Sequence, residues 1–450
     1  MSQTAQATPS RPQAWLWTLV AFAFTSQTAL NMARPQMSYK LIEMGANETL
    51  IGALTALYAL VPVFLAIWFG RYTQRVKNLR HTVMNGGILI GVGAAVMALA
   101  PNITGVAIAS VLLGFGHLIF VIASQASVTR YSTDASLDKG FGWQTAGIAA
   151  GQMLGPLLGG LLLGTSTGGD RMHLINLALW VGAAFAILSV PLMLWPVRLK
   201  EMPALTAEIP ITSQNPVVEQ TATVEIKDDA RADSAAGGRA ASSSQKKGDQ
   251  NPGKATTAKI LKRHGVLSNM FASLGMLSVT DILISFMPLV GEAVGVSPAW
   301  VGVLLAIRSA ATIVSRFSLS SLGRRWNRSQ LVITSLLVSS VLIALTPLTL
   351  GSAVVSVIAM VVAGFFVGIA QPLTMTMVVK EVPISWRSPA LAVRLLGNRL
   401  GQVTIPLVAG AVAAPVGPAG AIWFTCLLIG ISGVEKTVNY LRTGPTTMDL

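Results

Sequence analysis

The chain has 450 residues, of which 52% are hydrophobic and only 11% charged, against about 25% charged in an average globular protein. A water-facing surface cannot be built from this material, which excludes a soluble enzyme, a disordered chain and a secreted disulfide scaffold and leaves a protein that crosses a membrane many times. The net charge of +14 would raise the question of nucleic acid in a soluble protein, but here it has to be judged by where the charges fall.

Residues 1–14 form a polar tail with a lone Arg11 and no cleavable leader pattern, so the first apolar stretch is expected to stay in the protein. Twelve stretches long enough to cross as helices follow, near 15–33, 49–69, 81–100, 103–125, 142–164, 173–195, 265–290, 298–320, 330–350, 352–378, 389–413 and 417–435. They are continuous rather than alternating, and a helix satisfies its own backbone in lipid, so helices are expected over a barrel. The connections after spans 2, 4, 6, 8 and 10 carry Arg71, Arg75, Lys77 and Arg80, then Arg130 and Lys139, Arg198 to Arg263, Arg324, Arg325 and Arg328, and Lys380 and Arg387. The opposite connections hold little more than Lys40, Glu43, Glu48, Asp170, Arg171 and Glu292. Such asymmetry predicts that both termini are cytoplasmic, and it removes the main support for nucleic-acid binding. Asn47-Glu48-Thr49 and Asn102-Ile103-Thr104 match the glycosylation pattern on the outer side, a match that chance often supplies.

Between the sixth and seventh spans, residues 197–263 hold 11 basic and 8 acidic residues in a Ser/Ala/Gln-rich sequence that cannot bury a core, which predicts a flexible cytoplasmic linker. Its role is that of a tether between halves or of a regulatory element. The expected units are thus a tail 1–14, a six-helix bundle 15–196, the linker 197–263, a second bundle 264–435 and a cytoplasmic tail 436–450.

The two bundles superimpose at an offset of 250 residues: Ile51-Gly52 on Val301-Gly302, Gly114-Phe115 on Gly364-Phe365, and Gly151-Gln152 with Gly155-Pro156 on Gly401-Gln402 with Ile405-Pro406. Six spans per unit is an even number, so the repeat is parallel and its axis runs along the membrane normal. The fold class is therefore an all-α membrane protein, its twelve transmembrane helices forming two six-helix bundles related by pseudo-two-fold symmetry.

With twelve spans, a six-plus-six repeat and a long central linker over residues 15–435, the chain resembles the major facilitator superfamily. In span 5, Gly147, Gly151, Gly155-Pro156 and Gly159-Gly160 look like the Gly-x-x-x-Gly-Pro-x-x-Gly-Gly motif of its drug:proton antiporters; ordinary small-residue packing of helices is the other reading of this stripe. The loop after span 2, which the family writes Gly-x-Leu-x-Asp-Arg-x-Gly-Arg, begins here with Gly70 and Arg71 but has Gln74 in place of the acid, followed by Arg75; its counterpart after span 8 has Arg324 there, beside Arg325 and Arg328. The arginine expected early in span 4 is Ser110. The resemblance implies proton-coupled export of a small amphipathic or anionic organic compound by alternating access, with cytoplasmic gate loops at these degraded motifs. A proton-linked importer of an organic acid is the alternative within the fold, and a membrane receptor or scaffold the alternative outside it.

Few polar residues lie deep in the spans, and these are the candidate transport residues. Asp281 in span 7 lies between Ser278 and Ser285 and is the only acid well inside a span; it serves proton coupling or a structural ion pair. Arg308 in span 8, its face continued by Thr312 and Ser315, is either the partner of Asp281 or a holder of an anionic substrate group. Arg394, Asn398 and Gln402 recur every four residues on one face of span 11, with Arg399 about 100° away. Gln144 and Gln152 match Arg394 and Gln402 in the other half, so a polar-walled substrate cavity is expected between the halves. His117 in span 4 is a second titrating group or a hydrogen-bonded structural one. Arg34, before Pro35 near the outer end of span 1, is open to snorkelling, gating or substrate contact.

Most tryptophans sit near span ends, as interfacial anchors do. No phosphate loop and no His-Glu-x-x-His pair occurs, and the lone Cys426 offers neither a bridge nor a thiolate metal site. Catalysis, metals and cofactors are therefore not expected. Transport would draw on an ion gradient or on the gradient of the substrate itself. The expected partners are a small-molecule substrate, protons and the lipid bilayer, with one chain working as a monomer in a bacterial plasma membrane.

Overall fold

The structure is a computed structural model, and it describes residues 14–132, 134–164, 171–194, 257–263, 265–383 and 386–443. Most of the linker expected to be flexible, residues 1–13 and 444–450 of the expected tails, and Asp170 lie outside the described residues.

Among the described residues every regular element is helical: α1 (Ala14–Glu43), α2 (Glu48–Arg75), α3 (Leu79–Leu99), α4 (Ile103–Tyr131), α5 (Asp134–Leu163), α6 (Arg171–Leu188), the short α7 (Val190–Leu194) and α8 (Thr257–Leu261), α9 (Val266–Val294), α10 (Pro298–Leu322), α11 (Arg328–Thr349), α12 (Ala353–Lys380), α13 (Arg387–Val416) and α14 (Ala419–Thr443). Eleven of these helices are long and apolar enough to cross a membrane. The first expected span, α1, falls outside that set because Gln27, Asn31, Arg34, Gln36 and Lys40 interrupt it, and all but Arg34 of these are buried. Its polar residues face protein, which is the condition under which a membrane helix tolerates them.

Helix ends are set by local chemistry. Asn47 and Asn102, the two candidate glycosylation sites, are N-caps whose side chains accept from Leu50 N at 2.9 Å and Gly105 N at 3.0 Å. Ser297 caps α10 with Pro298 at its first turn, and α9 ends on Gly295 in the left-handed region (φ 74°).

Two span ends lie well beyond the sequence reading. Span 1 does not stop at residue 33: α1 continues through Pro35 to Glu43, since one missing N–H and a bend do not end a helix supported by its neighbours. Lys40, expected in an outer connection, is consequently a helix residue and 1% exposed. Its ammonium donates to Met97 O at 2.6 Å, Ala98 O at 2.9 Å and Asn176 Oδ1 at 2.9 Å, supplying the donors that the end of α3 lacks. Span 12 likewise runs on to Thr443, so the tail expected from residue 436 begins inside a helix.

The helix pairings repeat. In the first half α3 packs on α4, α2 on α4, α3 on α6 and α1 on α5 and α6; in the second, α11 packs on α12, α10 on α12, α11 on α14 and α9 on α13 and α14. Between halves α2 meets α13, α5 meets α10, and α1 meets α9. Both described chain ends lie on one side, here called proximal.

The closest inter-half contacts are distal and obey the same offset of 250. A Cβ on Gly52 would lie 2.4 Å from Pro406 O and 2.9 Å from Gly410 Cα; one on Gly302 would lie 2.4 Å from Pro156 O and 3.0 Å from Gly160 Cα. Two glycine-on-glycine seams thus close the distal side, and only a missing side chain lets these backbones approach so far. The other glycines of the span 5 motif serve a different contact. Gly147, Gly151 and Gly155 lie on the backbone of α1, and Gly159 lies on the Gln36 side chain.

Gly52→Val or Gly302→Val is expected to force the distal seam apart. The measure is maleimide labelling of Glu292→Cys in a Cys426→Ser background, which should rise severalfold; unchanged labelling of a folded variant would show that the seam does not hold the halves.

Candidate functional site

At mid-depth of the inter-half seam the polar residues of five helices converge. Arg34 of α1 donates through Nη2 to Asp281 Oδ1 of α9 at 2.8 Å, each side chain 11% exposed. Gln402 of α13 donates through Nε2 to Asp281 Oδ2 at 3.0 Å, and Arg399 Nη1 donates to Gln402 Oε1 at 3.0 Å. Beneath Arg34, whose Cζ lies 4.8 Å from the ring centre, is Tyr58 of α2. The Tyr58 hydroxyl is 2.6 Å from Nδ1 of His117 on α4, and the two rings stack at 6.0 Å. A continuous chain therefore runs from His117 through Tyr58, Arg34 and Asp281 to Gln402 and Arg399, crossing from one half to the other once, at the ion pair.

Arg308 was open to being the partner of Asp281 or a holder of an anionic substrate group; in the structure the partner of Asp281 is Arg34. The longer α1 explains this, since it carries Arg34 into the bundle instead of leaving it at an outer end. Arg308 is also buried, and it makes only long contacts, Nη1 to Thr280 Oγ1 at 3.5 Å and Nη2 to Ser309 Oγ at 3.3 Å. Thr312 and Ser315 do not continue a cavity face: Thr312 donates to Gly364 O at 2.9 Å, and Ser315 Oγ lies against Gly368, so both belong to the packing of α10 on α12.

The stripe on α13 is as spaced. Arg394 Nη2 donates to Ser273 Oγ at 2.7 Å and Asn398 Nδ2 to the same oxygen at 3.4 Å, about two turns and one turn before Gln402 reaches Asp281. Their repeat mates part company. Gln144 is sealed inside the first half, donating to Ser124 Oγ at 2.7 Å, and so lies off the wall where it was expected; Gln152 is exposed. Ser278 and Ser285, flanking Asp281, are buried with hydroxyls that meet no partner.

Arg399 and Tyr58 were missed in the sequence. Arg399 was set aside for pointing off the stripe, yet its side chain is long enough to reach back to Gln402. The signal for Tyr58 was present, because at offset 250 it matches Arg308, and each lies beneath a motif glycine. A Cβ on Gly114 would strike Tyr58 O and one on Gly364 would lie 2.4 Å from Arg308 O.

Two charge clusters flank this centre. Distally, Arg171 of α6 bridges Glu43 of α1 at 3.0 Å and Glu292 of α9 through both Nη atoms, with its Cζ 5.4 Å from the Tyr39 ring centre, so one arginine ties the halves together at the rim. Proximally, Arg75, Arg324 and Arg325 are exposed, Arg328 is half-buried at the start of α11 and Gly70 is buried; the side chains of Arg71 and Gln74 lie outside the described ones. Arg130 steadies the loop that lacks its acid, donating to Val76 O at 2.6 Å and Thr73 O at 3.1 Å. Among the described residues no group of His, Cys, Asp and Glu could hold a metal ion.

Two helical bundles enclosing a polar, charged seam define a membrane transporter rather than an enzyme. The chain belongs to the Major Facilitator Superfamily, whose family model matches residues 16–383 and 266–447. Among solved structures it is similar to the nucleoside transporter NupG (14% identity, TM-score 0.66, 95% of this chain and 99% of that one) and to the peptide transporter POT (16%, 0.67, 96% and 95%). A D-xylose-proton symporter is similar to the same degree (12%, 0.66, 94% and 96%). No curated protein sequence matches. At these identities the likeness is one of fold, and the drug:proton antiporter motif of span 5 draws no support from it.

Removing either member of a buried ion pair strands the other charge, at about 3–5 kcal/mol. Arg34→Gln and Asp281→Asn should therefore each lower the thermal unfolding temperature in detergent, while the double variant unfolds above both single variants. Additive losses would show that the pair is not coupled.

Proposed function

We propose that this transporter exports a small amphipathic or anionic organic compound in exchange for protons, by rocking its halves about the mid-depth site. The observation that carries the reading is Asp281. It is the one carboxylate among the described residues at mid-depth, and it binds the opposite half through Arg34.

An arginine does not shed its charge at accessible pH, so the switchable member of this bond is the acid. A proton on Asp281 neutralises it and weakens its hold on Arg34 and Gln402 together, freeing the halves to separate; loss of the proton restores the link. His117 is the second candidate, because its hydrogen bond to Tyr58 connects its protonation to the ring under Arg34. The glycine seams and the Arg171 bridge, all distal, support reading this conformation as the one closed on that side. With the basic loops on the proximal side, the positive-inside rule makes that side cytoplasmic, in a bacterial plasma membrane, and one chain contains the whole pathway. The proton coupling of the similar D-xylose-proton symporter agrees with the reading without extending to its sugar. The excess of arginine over acid at the site favours an anion in either direction, so import of an organic acid with protons is the second reading.

Cells expressing wild type or Asp281→Asn at equal membrane levels decide between them by comparing compounds inside and outside. Depletion of a compound from wild-type cytoplasm, lost in the variant, is the expected result. Accumulation inside wild-type cells would reverse the direction. Equal movement against the gradient by both proteins would remove Asp281 from coupling.

A further inference from the structure

Three arginines reach the mid-depth region, Arg34, Arg308 and Arg399, a fourth, Arg394, is buried two turns to the proximal side of Gln402, and a single acid, Asp281, answers them. Arg34 takes that acid directly. Arg308 and Arg394 are 5% and 6% exposed, and among the described residues no carboxylate lies within ion-pair distance of either. Their partners are neutral oxygens, Thr280 Oγ1 and Ser309 Oγ for Arg308 and Ser273 Oγ for Arg394, and among the described residues the Nε of each guanidinium meets no acceptor. A buried guanidinium held by hydroxyls alone lacks the charge-assisted bonds that offset its desolvation, and it has no neutral form to fall back on. A ligand that brings negative charge would supply what these hydroxyls lack.

The spacing of the two anchors limits what that ligand is. Ser273 and Thr280 are seven residues apart on α9, which puts them on one face and about 10.5 Å apart along the axis. A small anion such as phosphate or chloride spans only a few ångströms, less than the separation of these two anchors along α9. A molecule with an anionic group at each end of a short apolar chain can reach both, each end displacing a hydroxyl now serving as a substitute acceptor. Asn398, which shares Ser273 with Arg394, adds an N–H donor at one end.

Resting on the transporter reading above, we propose that the cargo is an elongated organic dianion, its two anionic ends held by Arg308 and Arg394 about 5 to 10 Å apart.

The test uses purified protein and the unbranched α,ω-dicarboxylates from succinate to sebacate, with their monomethyl esters, the matching diols, and inorganic phosphate and chloride at equal ionic strength. Thermal unfolding is read against ligand concentration. Dicarboxylates of six to eight carbons are expected to stabilise best, with monoesters weaker by about tenfold or more and diols silent. Arg308→Gln and Arg394→Gln should each weaken the dicarboxylate by about tenfold or more, without changing the weaker monoester as much. If a Gln variant fails to fold, the Lys variant keeps the charge and should retain binding with lower affinity.

Equal binding of diols, equal binding of dicarboxylate by wild type and the Arg variants, or saturation by phosphate alone would each overturn the proposal, the last by assigning the site to a free inorganic anion. Counterflow of labelled suberate in liposomes separates the two levels. Binding without counterflow supports the dianion and overturns transport, whereas counterflow of neutral or cationic compounds with no dicarboxylate binding overturns the dianion and leaves transport standing.

Discussion

Arg34 and Asp281 come from opposite halves and meet at 2.8 Å in a region where neither charge is stable alone. In lipid-embedded protein an ion costs several kcal/mol to desolvate, and this expense falls only if an opposite charge is close and well oriented. The pair therefore makes the position of one bundle a condition for the solvation of the other. What surrounds it follows from the same demand. Tyr58 places its ring under the guanidinium, Gln402 completes the carboxylate, and Arg399 occupies the far side of Gln402. Changing the charge on one atom pair is then enough to alter how two halves of a membrane protein fit.

The duplicated architecture distributes this task unevenly. At the seams the repeat is kept: Gly52 against Gly410 and Gly302 against Gly160 make two equivalent contacts, since backbone approach tolerates only glycine. At the site the repeat is broken. Asn31 is the mate of Asp281 and Tyr58 the mate of Arg308, while Arg34 is matched by Ile284, so each half supplies charge where the other is neutral and the acid comes from the second half alone. A symmetric frame lets the two halves rock about one axis, and asymmetric chemistry lets one half carry the switch.

The fold was legible because long apolar runs, basic loops on one side and a repeat at a fixed offset are each consequences of the bilayer or of duplication, and they reinforce one another. The helix ends were less so. Pro35 invited a stop to α1 that neighbouring helices override, and the composition of residues 34–43 conceals a helix whose charged side chains Arg34, Lys40 and Glu43 are met by α9, α3 and α6. Within the site, Asp281 and the Arg394, Asn398 and Gln402 stripe could be found because a charge or amide deep in a span is rare. Which arginine pairs with Asp281 could not, since that depends on how helices from the two halves meet. Tyr58 escaped as an ordinary apolar-looking residue, although its repeat mate Arg308 had marked the position.

The buried Lys40 bears on how the molecule moves. By binding the last carbonyls of α3 and the amide of Asn176 on α6, it fastens the distal ends of three helices into one piece. Its repeat mate is Val290, which supplies no such bond, and since α1 and α9 each carry a proline in their last turns, Pro35 and Pro288, the lysine clamp is what sets them apart. The first bundle is thereby the stiffer lever at the distal rim and the second the more compliant. Opening on that side would then be unequal, with α9 bending away from a partner that swings as a single body, and the seam between α1 and α9 would part like a peeled edge rather than a lifted lid.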